Sequence, residues 1–138
     1  MKIKSVSWVG LAVDDFAAAR SFFSEVMGLP VEAEEADRGV VMLRIGEGQT
    51  LEIFGPGTLG HTRTAAPVIG FEVDDVAAAR DELVAGGAEP IGEIGSWNGF
   101  EWLYFRGPND HVFAVKKTPP AGWQDRDREV RPGARAEP

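Results

Sequence analysis

An internal repeat constrains the fold of this chain more than any other feature of its sequence. The segment from Gly10 to Arg20, GLAVDDFAAAR, returns 60 residues later from Gly70 to Arg80 as GFEVDDVAAAR, and eight of the eleven positions are identical. Two copies are too few for a solenoid, in which every repeat is stacked between neighbours. The repeat therefore predicts a duplicated module whose two halves pair about a pseudo-twofold axis.

Each copy of the repeat predicts a strand followed directly by a helix. The runs Val6 to Val13 and Val68 to Val73 have β-type composition, and both run into paired aspartates that can cap a helix. Apolar residues then recur at helical spacing, until glycines and a proline end the pattern. The residues predicted to turn these two helices toward a core are Phe16, Ala19, Phe23, Val26, Met27, Val76, Ala79, Leu83 and Val84.

After each helix the pattern changes to short strands separated by glycine-rich turns. The predicted strands are Val40 to Ile45, Thr50 to Phe54, Glu101 to Phe105 and His111 to Lys116, with one more in each half around Leu29 to Glu34 and Pro90 to Ile94. Each half thus reads β-α-β-β-β, which predicts the α+β class. The predicted boundaries are module one 1–55, a linker 56–66, module two 67–117 and a C-terminal tail 118–138, in which Trp123 either pins the tail to the body or a partner subunit or stays exposed.

The composition limits the classes of partner that the protein can bind and the cellular compartment in which we expect it. The 138 residues suffice for one compact domain, and a net charge of −8 repels nucleic acids and anionic membranes. The chain has no cysteine, which excludes disulfides and thiolate chemistry and fits a reducing compartment. No apolar run approaches the roughly 20 residues that cross a bilayer, and no secretion signal is readable. We expect a cytoplasmic protein with neither nucleic acid nor membrane as its partner.

Three segments carry a family resemblance: VGLAVDD at 9–15, VMGLP at 26–30 and FRGPNDHVF at 105–113. With them, residues 4–117 resemble the vicinal-oxygen-chelate superfamily of glyoxalases, bleomycin-resistance proteins, fosfomycin-resistance enzymes and extradiol dioxygenases. The resemblance implies two tandem βαβββ modules whose strands curl into a U-shaped open sheet, with helices outside and a ligand cleft inside. It does not select one activity, because this fold hosts isomerases, transferases, oxygenases and drug binders.

The resemblance also implies where a metal ion would bind. Metalloenzymes of the superfamily usually place one ligand in the first strand and one carboxylate in the last strand of each module. Those four positions fall on Trp8, Glu52, Val68 and Ala114. Only Glu52 supplies a ligand, since indole offers just an N–H donor, and a catalytic metal site needs about three protein ligands. We therefore expect neither a metal ion nor another cofactor.

Strand alternation indicates which side chains would line the cleft, because neighbours two residues apart share one face of a sheet. Indole, phenol, phenyl and thioether groups predominate there, which suits a small planar or aromatic ligand. The segment 97–102, with three aromatic residues around Asn-Gly, predicts either a mobile hairpin over the cleft or an ordinary packed hairpin. The candidate ligand-binding residues are Trp8, Met42, Glu52, Phe54, Val68, Glu72, Trp97, Trp102, Tyr104 and Ala114.

Three functions are compatible with this sequence. The first is a metal-free small-molecule-binding protein similar to the bleomycin-resistance branch, which sequesters an antibiotic or toxic metabolite; members of that branch are typically homodimers. The second is a lyase or isomerase that uses Glu52 together with Glu72, Tyr104 or an unforeseen metal ligand, with Glu52 and Glu72 as the candidate catalytic carboxylates that move a proton. The third is a structural domain whose cleft is filled by its own side chains.

Overall fold

The structure is a computed structural model that describes residues 1–63 and 66–123. Within this part the chain forms two compact units. We call residues 8–68 the first module, and residues 1–7 together with residues 69–123 the second module. Of the predicted linker 56–66 and tail 118–138, residues 64–65 and 124–138 lie outside the described residues.

The α+β class and the two βαβββ modules are confirmed. The elements of the first half are β1 (Ser5–Ala12), α1 (Phe16–Ser21), β2 (Val31–Glu35), β3 (Val40–Gly46), β4 (Gln49–Phe54) and the short helix α2 (Leu59–Arg63). Those of the second half are β5 (Val68–Glu72), α3 (Val76–Ala85), β6 (Glu89–Trp97), β7 (Phe100–Arg106) and β8 (Val112–Lys117). Among the described helices, none has the length and apolar character needed to span a membrane.

The first module orders its strands β2-β3-β4-β1, with β1 parallel to β4 and β3 antiparallel to both of its neighbours. One face of this sheet packs on α1 through a core of Val41, Leu43, Leu51 and Ile53. Because side chains alternate along a strand, the residues between these point to the opposite face, which we call the inner face. Glu52 lies opposite both Gly10 and Met42 in this sheet.

The second module repeats the arrangement, with the strand order β5-β8-β7-β6 and β5 parallel to β8. Its helix face packs on α3 through a core of Val73, Val76, Ala79, Leu103, Phe105 and Val115. Gly70 lies opposite Ala114, just as Gly10 lies opposite Glu52 in the first module. The repeated sequence therefore takes the same strand register in both copies.

Both repeat helices begin at the predicted aspartate caps, since Asp15 accepts a hydrogen bond from the Ala18 N–H at 3.0 Å and Asp75 from the Ala78 N–H at 2.9 Å. The first helix does not continue regularly to Met27. Over Phe22–Val26 it widens into a π-helical turn, in which the Met27 N–H donates to the Phe22 carbonyl.

Three residues of the predicted helical stripes do not face a core. Phe16, Ala19 and Phe23 pack on the first core as predicted, but the prediction is wrong for Val26 and Met27, which are 74% and 55% exposed. The wider turn carries them round the helix axis and away from the sheet. Val84 is exposed as well, because it lies about 100° round the helix from Leu83, which packs on the second core.

Candidate functional site

A buried indole and a buried carboxylate meet on the inner face of the first module. Trp8 comes two residues before Gly10 on β1, and Gly10 lies opposite Glu52 on β4. The Trp8 Nε1–H donates a hydrogen bond to Oε1 of Glu52 at 2.9 Å. Trp8 is 4% exposed and Glu52 only 1%. A hydrogen bond to a carboxylate in such an environment is stronger than its equivalent in water, so it fixes the position of both groups.

Gly10 provides the space that the indole occupies. A Cβ atom at Gly10 would lie 2.3 Å from Cη2 and 2.7 Å from Cζ2 of Trp8, which is far inside contact distance. The ring therefore lies directly over the glycine backbone. Gly10 is conserved between the two copies of the internal repeat, which marks it in the sequence. That the Trp8 ring lies over it could not be predicted from the repeat.

Other apolar groups complete the inner face of the first module. The rings of Trp8 and Phe54 are 6.3 Å apart at an angle of 60°, and Phe54 is buried. Phe54 in turn covers Gly60 of α2, where a Cβ atom would lie 2.3 Å from Cδ1 of the phenyl ring. Met42, opposite Glu52, is also buried. Val68, the first residue of β5, is buried as well. Three predicted residues, Trp8, Met42 and Phe54, therefore form one apolar surface around the carboxylate of the fourth, Glu52.

The inner face of the second module contains Trp102, Tyr104 and Ala114, which are all buried. Tyr104 lies opposite Ala114 in the β7–β8 pair. The Trp102 indole lies over Gly95, whose Cβ would be 2.4 Å from Cε2 of the ring. A tryptophan over a glycine thus occurs on the inner face of both modules.

Lys116 belongs to the same inner face and was missing from the sequence-derived candidates. It lies opposite Trp102 and is buried, with its Nζ atom 4.6 Å from the centroid of the Phe100 ring. This is the geometry of a cation–π contact. Alternation along the strand put Lys116 on the same face as Ala114, although it was not chosen as a candidate ligand-binding residue.

Glu72 holds two distant segments of the second module together. Its carboxylate accepts hydrogen bonds from Ser7 Oγ at 2.7 Å, from the Thr118 N–H at 2.8 Å and from Thr118 Oγ1 at 2.8 Å. These contacts connect the start of β1 and the chain just after β8 to the end of β5. They give Glu72 a structural role, and its pairing with Glu52 for proton transfer stays a prediction.

The β6–β7 hairpin presents an aromatic cluster at its turn. Asn98 and Gly99 both have positive φ, 49° and 89°, as a tight two-residue hairpin turn requires. Trp97 stacks on Phe100 with ring centroids 6.0 Å apart. Trp123 makes T-shaped contacts with both rings, with centroids 5.7 Å and 4.8 Å away, and its main-chain carbonyl accepts a hydrogen bond from Asn98 Nδ2 at 3.0 Å. Trp123 is 6% exposed, so this end of the predicted tail is packed on the hairpin.

An ion pair lies at the surface of the second module, where β1 is preceded by Lys4. Lys4 Nζ donates to Oδ1 of Asp74 at 2.9 Å. This hydrogen bond, supported by the charge of Lys4, holds the pKa of Asp74 below its ordinary value, and the same contact raises the pKa of Lys4. Both side chains are exposed, so solvent and salt weaken the pair.

The comparison with known families agrees with this geometry. The family model of the Glyoxalase/Bleomycin resistance protein/Dioxygenase superfamily matches residues 5–115. The chain belongs to this superfamily. The match includes both modules up to β8, so the resemblance seen in the sequence is confirmed at the level of the superfamily.

Solved structures of the superfamily share the fold. A glyoxalase/bleomycin resistance protein/dioxygenase superfamily member from Vibrio splendidus 12B01 is 19% identical, with a TM-score of 0.60 over 85% of this chain and 100% of that chain. Methylmalonyl-CoA epimerase from Mycobacterium tuberculosis is 17% identical, with a TM-score of 0.62 over 86% and 90%. The Streptomyces coelicolor methylmalonyl-CoA epimerase in complex with 2-nitronate-propionyl-CoA is 18% identical, with a TM-score of 0.65 over 86% and 100%. At these identities the likeness shows the fold alone, and no curated protein matches the chain significantly.

The residues of this superfamily member do not fit a metal ion at the four expected positions. Trp8 stands at the first position and directs an N–H donor at Glu52, so the pair is a hydrogen bond in place of two ligands. Val68 and Ala114 are apolar and have no lone pair to donate. In the described part of the chain, no three His, Asp or Glu side chains are grouped so that they could hold a metal ion.

Proposed function

We propose that this superfamily member is a small-molecule-binding protein that recognises a planar or aromatic ligand on its aromatic inner faces, without a metal ion, and sequesters or carries it. The observation that carries this proposal is the hydrogen bond between Trp8 and Glu52. It occupies two positions at which metalloenzymes of the superfamily hold ligands, and it converts them into a polar anchor beside a flat apolar surface.

The chemistry of the two faces supports recognition of a flat ligand. Indole and phenyl rings stack on planar groups, and each well-placed aromatic pair contributes about 0.5–1.5 kcal/mol beyond its buried area. Glu52 is a fixed acceptor in surroundings of low dielectric, where it would favour a ligand with an N–H donor or a positive charge. Trp102 and Tyr104 supply the same kind of surface in the second module. We further propose, from the resemblance to the bleomycin-resistance branch, a cytoplasmic homodimer that sequesters an antibiotic or toxic metabolite.

A screen of planar compounds tests the proposal. Binding would be read from quenching of tryptophan fluorescence and from a raised melting temperature, because a ligand that binds only the native state stabilises it. Trp8→Ala or Tyr104→Ala should weaken the affinity of a hit at least tenfold, and Glu52→Gln should weaken it modestly. Phe22→Ala is the matched control, since Phe22 is an exposed aromatic residue on α1's continuation. If no planar compound raises the melting temperature, the chain is a structural domain with a filled cleft.

A lyase or isomerase remains the second candidate, and the burial of the Glu52 carboxylate favours it. A buried carboxylate beside apolar groups is a typical general base. Because two structural neighbours are methylmalonyl-CoA epimerases, methylmalonyl-CoA is the first substrate to assay, by incorporation of solvent deuterium. Loss of exchange in Glu52→Gln with binding retained would establish the enzyme. Elemental mass spectrometry of untagged protein, before and after addition of divalent metal, tests the metal-free part of the proposal.

A further inference from the structure

The chain after β8 crosses the second module as a strap that is fixed at both ends. We define the strap as residues 118–123. Its first residue, Thr118, donates two hydrogen bonds to Glu72. Pro119, which is buried, and Pro120 follow, and their rings restrict the backbone of the segment. The strap ends at Trp123, which is buried in the aromatic cluster of the β6–β7 hairpin.

The seat of Trp123 has the parts of a small binding site. Trp97 and Phe100 stack on each other and present their rings to the Trp123 indole. The side-chain amide of Asn98 donates to the carbonyl oxygen of Trp123. Trp97, Asn98 and Phe100, which we call the seat, therefore contact two features of their occupant, a planar ring and a carbonyl acceptor.

This seat is continuous with the inner face of the second module. Phe100 begins β7 and, by alternation, shares its face with Trp102 and Tyr104. The Phe100 ring that makes the T-shaped contact with Trp123 is the ring over which the Lys116 ammonium lies. The indole of Trp123 thus covers one end of a surface whose other residues are candidate lining residues.

We propose that Trp97, Asn98 and Phe100 form a binding subsite for a planar aromatic group that bears a carbonyl oxygen, and that Trp123 fills this subsite as an intramolecular ligand which an external ligand displaces. The inference rests on the proposed function, because it assigns a ligand class and a gate to the same aromatic surface. Residues 118–123 are short and stiffened by two prolines, so the indole is held near its seat at a high effective concentration.

The gate has a quantitative consequence. A ligand that binds only the open form shows an apparent Kd equal to its intrinsic Kd divided by the open fraction. If the strap is open about a tenth of the time, removing Trp123 strengthens the apparent affinity about tenfold. A purely structural contact predicts the reverse, because its loss would disorder the hairpin and leave binding unchanged or weaker.

Indole-3-propionamide is the probe, because two carbons separate its indole from its amide carbonyl, as Cβ and Cα do in Trp123, and 3-methylindole is the comparison compound that lacks the carbonyl. Both are titrated into the full chain by isothermal calorimetry. We expect Trp123→Ala to bind indole-3-propionamide at least tenfold more tightly than the unaltered chain. In the double variant Trp123→Ala/Asn98→Gly the amide donor is lost, so the affinity of the probe should fall to that of 3-methylindole. Glycine is the replacement because it tolerates the positive φ of this position.

Two further variants keep the test decisive. Thr118→Val removes a hydroxyl bond to Glu72 without altering the seat, and should strengthen binding by less than Trp123→Ala does. Thr118→Val is used in place of Trp123→Ala if Trp123→Ala fails to fold. The control variant Phe22→Ala should leave the affinity for the probe unchanged. Equal affinity in the unaltered chain and in Trp123→Ala, or no binding to Trp123→Ala, would overturn the inference. The proposed function has a separate test, which is the Trp8→Ala variant. It fails if Trp8→Ala weakens the affinity of no planar compound.

Discussion

Replacing Gly10 with alanine should separate the Trp8 indole from the Glu52 carboxylate. The new methyl carbon would lie 2.3 Å from Cη2 of Trp8, so the ring must move, and the 2.9 Å hydrogen bond to Glu52 would be lost with it. Overpacking a well-filled site costs about 1–3 kcal/mol, and a lost hydrogen bond to a charged group costs about 1.5–3 kcal/mol. We expect the free energy of unfolding to fall by about 2.5–6 kcal/mol in total. For a chain of this length, that lowers Tm by roughly 9–20 °C.

Chemical denaturation followed by circular dichroism measures this change, and a double-mutant cycle assigns its cause. In a Trp8→Ala background the ring is absent, so Gly10→Ala should cost less than about 1 kcal/mol. Gly86→Ala is the matched control, because Gly86 ends α3 with φ −84° and its Cβ would meet the nearest atom at 3.4 Å. An equal cost of Gly10→Ala with and without Trp8 would refute the placement of the indole over the glycine.

Three other predictions use the same reasoning. Asp75→Ala removes the acceptor of a helix-capping hydrogen bond and should lower the free energy of unfolding in urea by about 1 kcal/mol. Gly95→Ala places a methyl carbon 2.4 Å from the Trp102 indole and should lower it by about 2 kcal/mol, and a cost near zero would contradict the contact. Lys4→Met should raise the pKa of Asp74 toward its ordinary value of 3.8, as an NMR titration at low salt would show. Because the pKa of Asp74 is lowered and that of Lys4 raised, the pair stabilises the fold between these two pKa values; the stabilisation is lost as pH falls through the first or rises through the second.

Most of the fold was predictable because alternation and turn signals agree along the strands. β3 and β4 were predicted from Val40 to Ile45 and from Thr50 to Phe54, and each is one residue longer in the structure. β6 is the exception, since it was predicted around Pro90 to Ile94 and extends over Glu89–Trp97. A register shift between Ile91 and Gly95, with Gly92 at φ 74°, interrupts its alternation, which hides the continuation of the strand from a period-two pattern.

The sequence allowed us to predict which residues lie on the inner faces, but not which of them contact each other. Alternation put Trp8 on the inner face of β1 and Glu52 on that of β4, but only the parallel register brings the indole N–H to the carboxylate. Glu72 was assigned to the cleft by the same rule, and its partners Ser7 and Thr118 come from the two ends of the second module. Long-range partners of this kind leave no local signal in a sequence.

The two copies of the repeat have kept one register and diverged in chemistry. The glycine of β1 faces Glu52 and the glycine of β5 faces Ala114, so an equivalent position holds a carboxylate in one module and a methyl group in the other. Since the backbone is the same, the difference comes from the side chains alone. A mechanism that used equivalent polar groups from both modules would need a donor at Ala114, which has none. At these paired positions the polar group therefore lies in the first module alone, as the Glu52 carboxylate that Trp8 orients, and the charged group on the inner face of the second module is Lys116, two residues beyond Ala114.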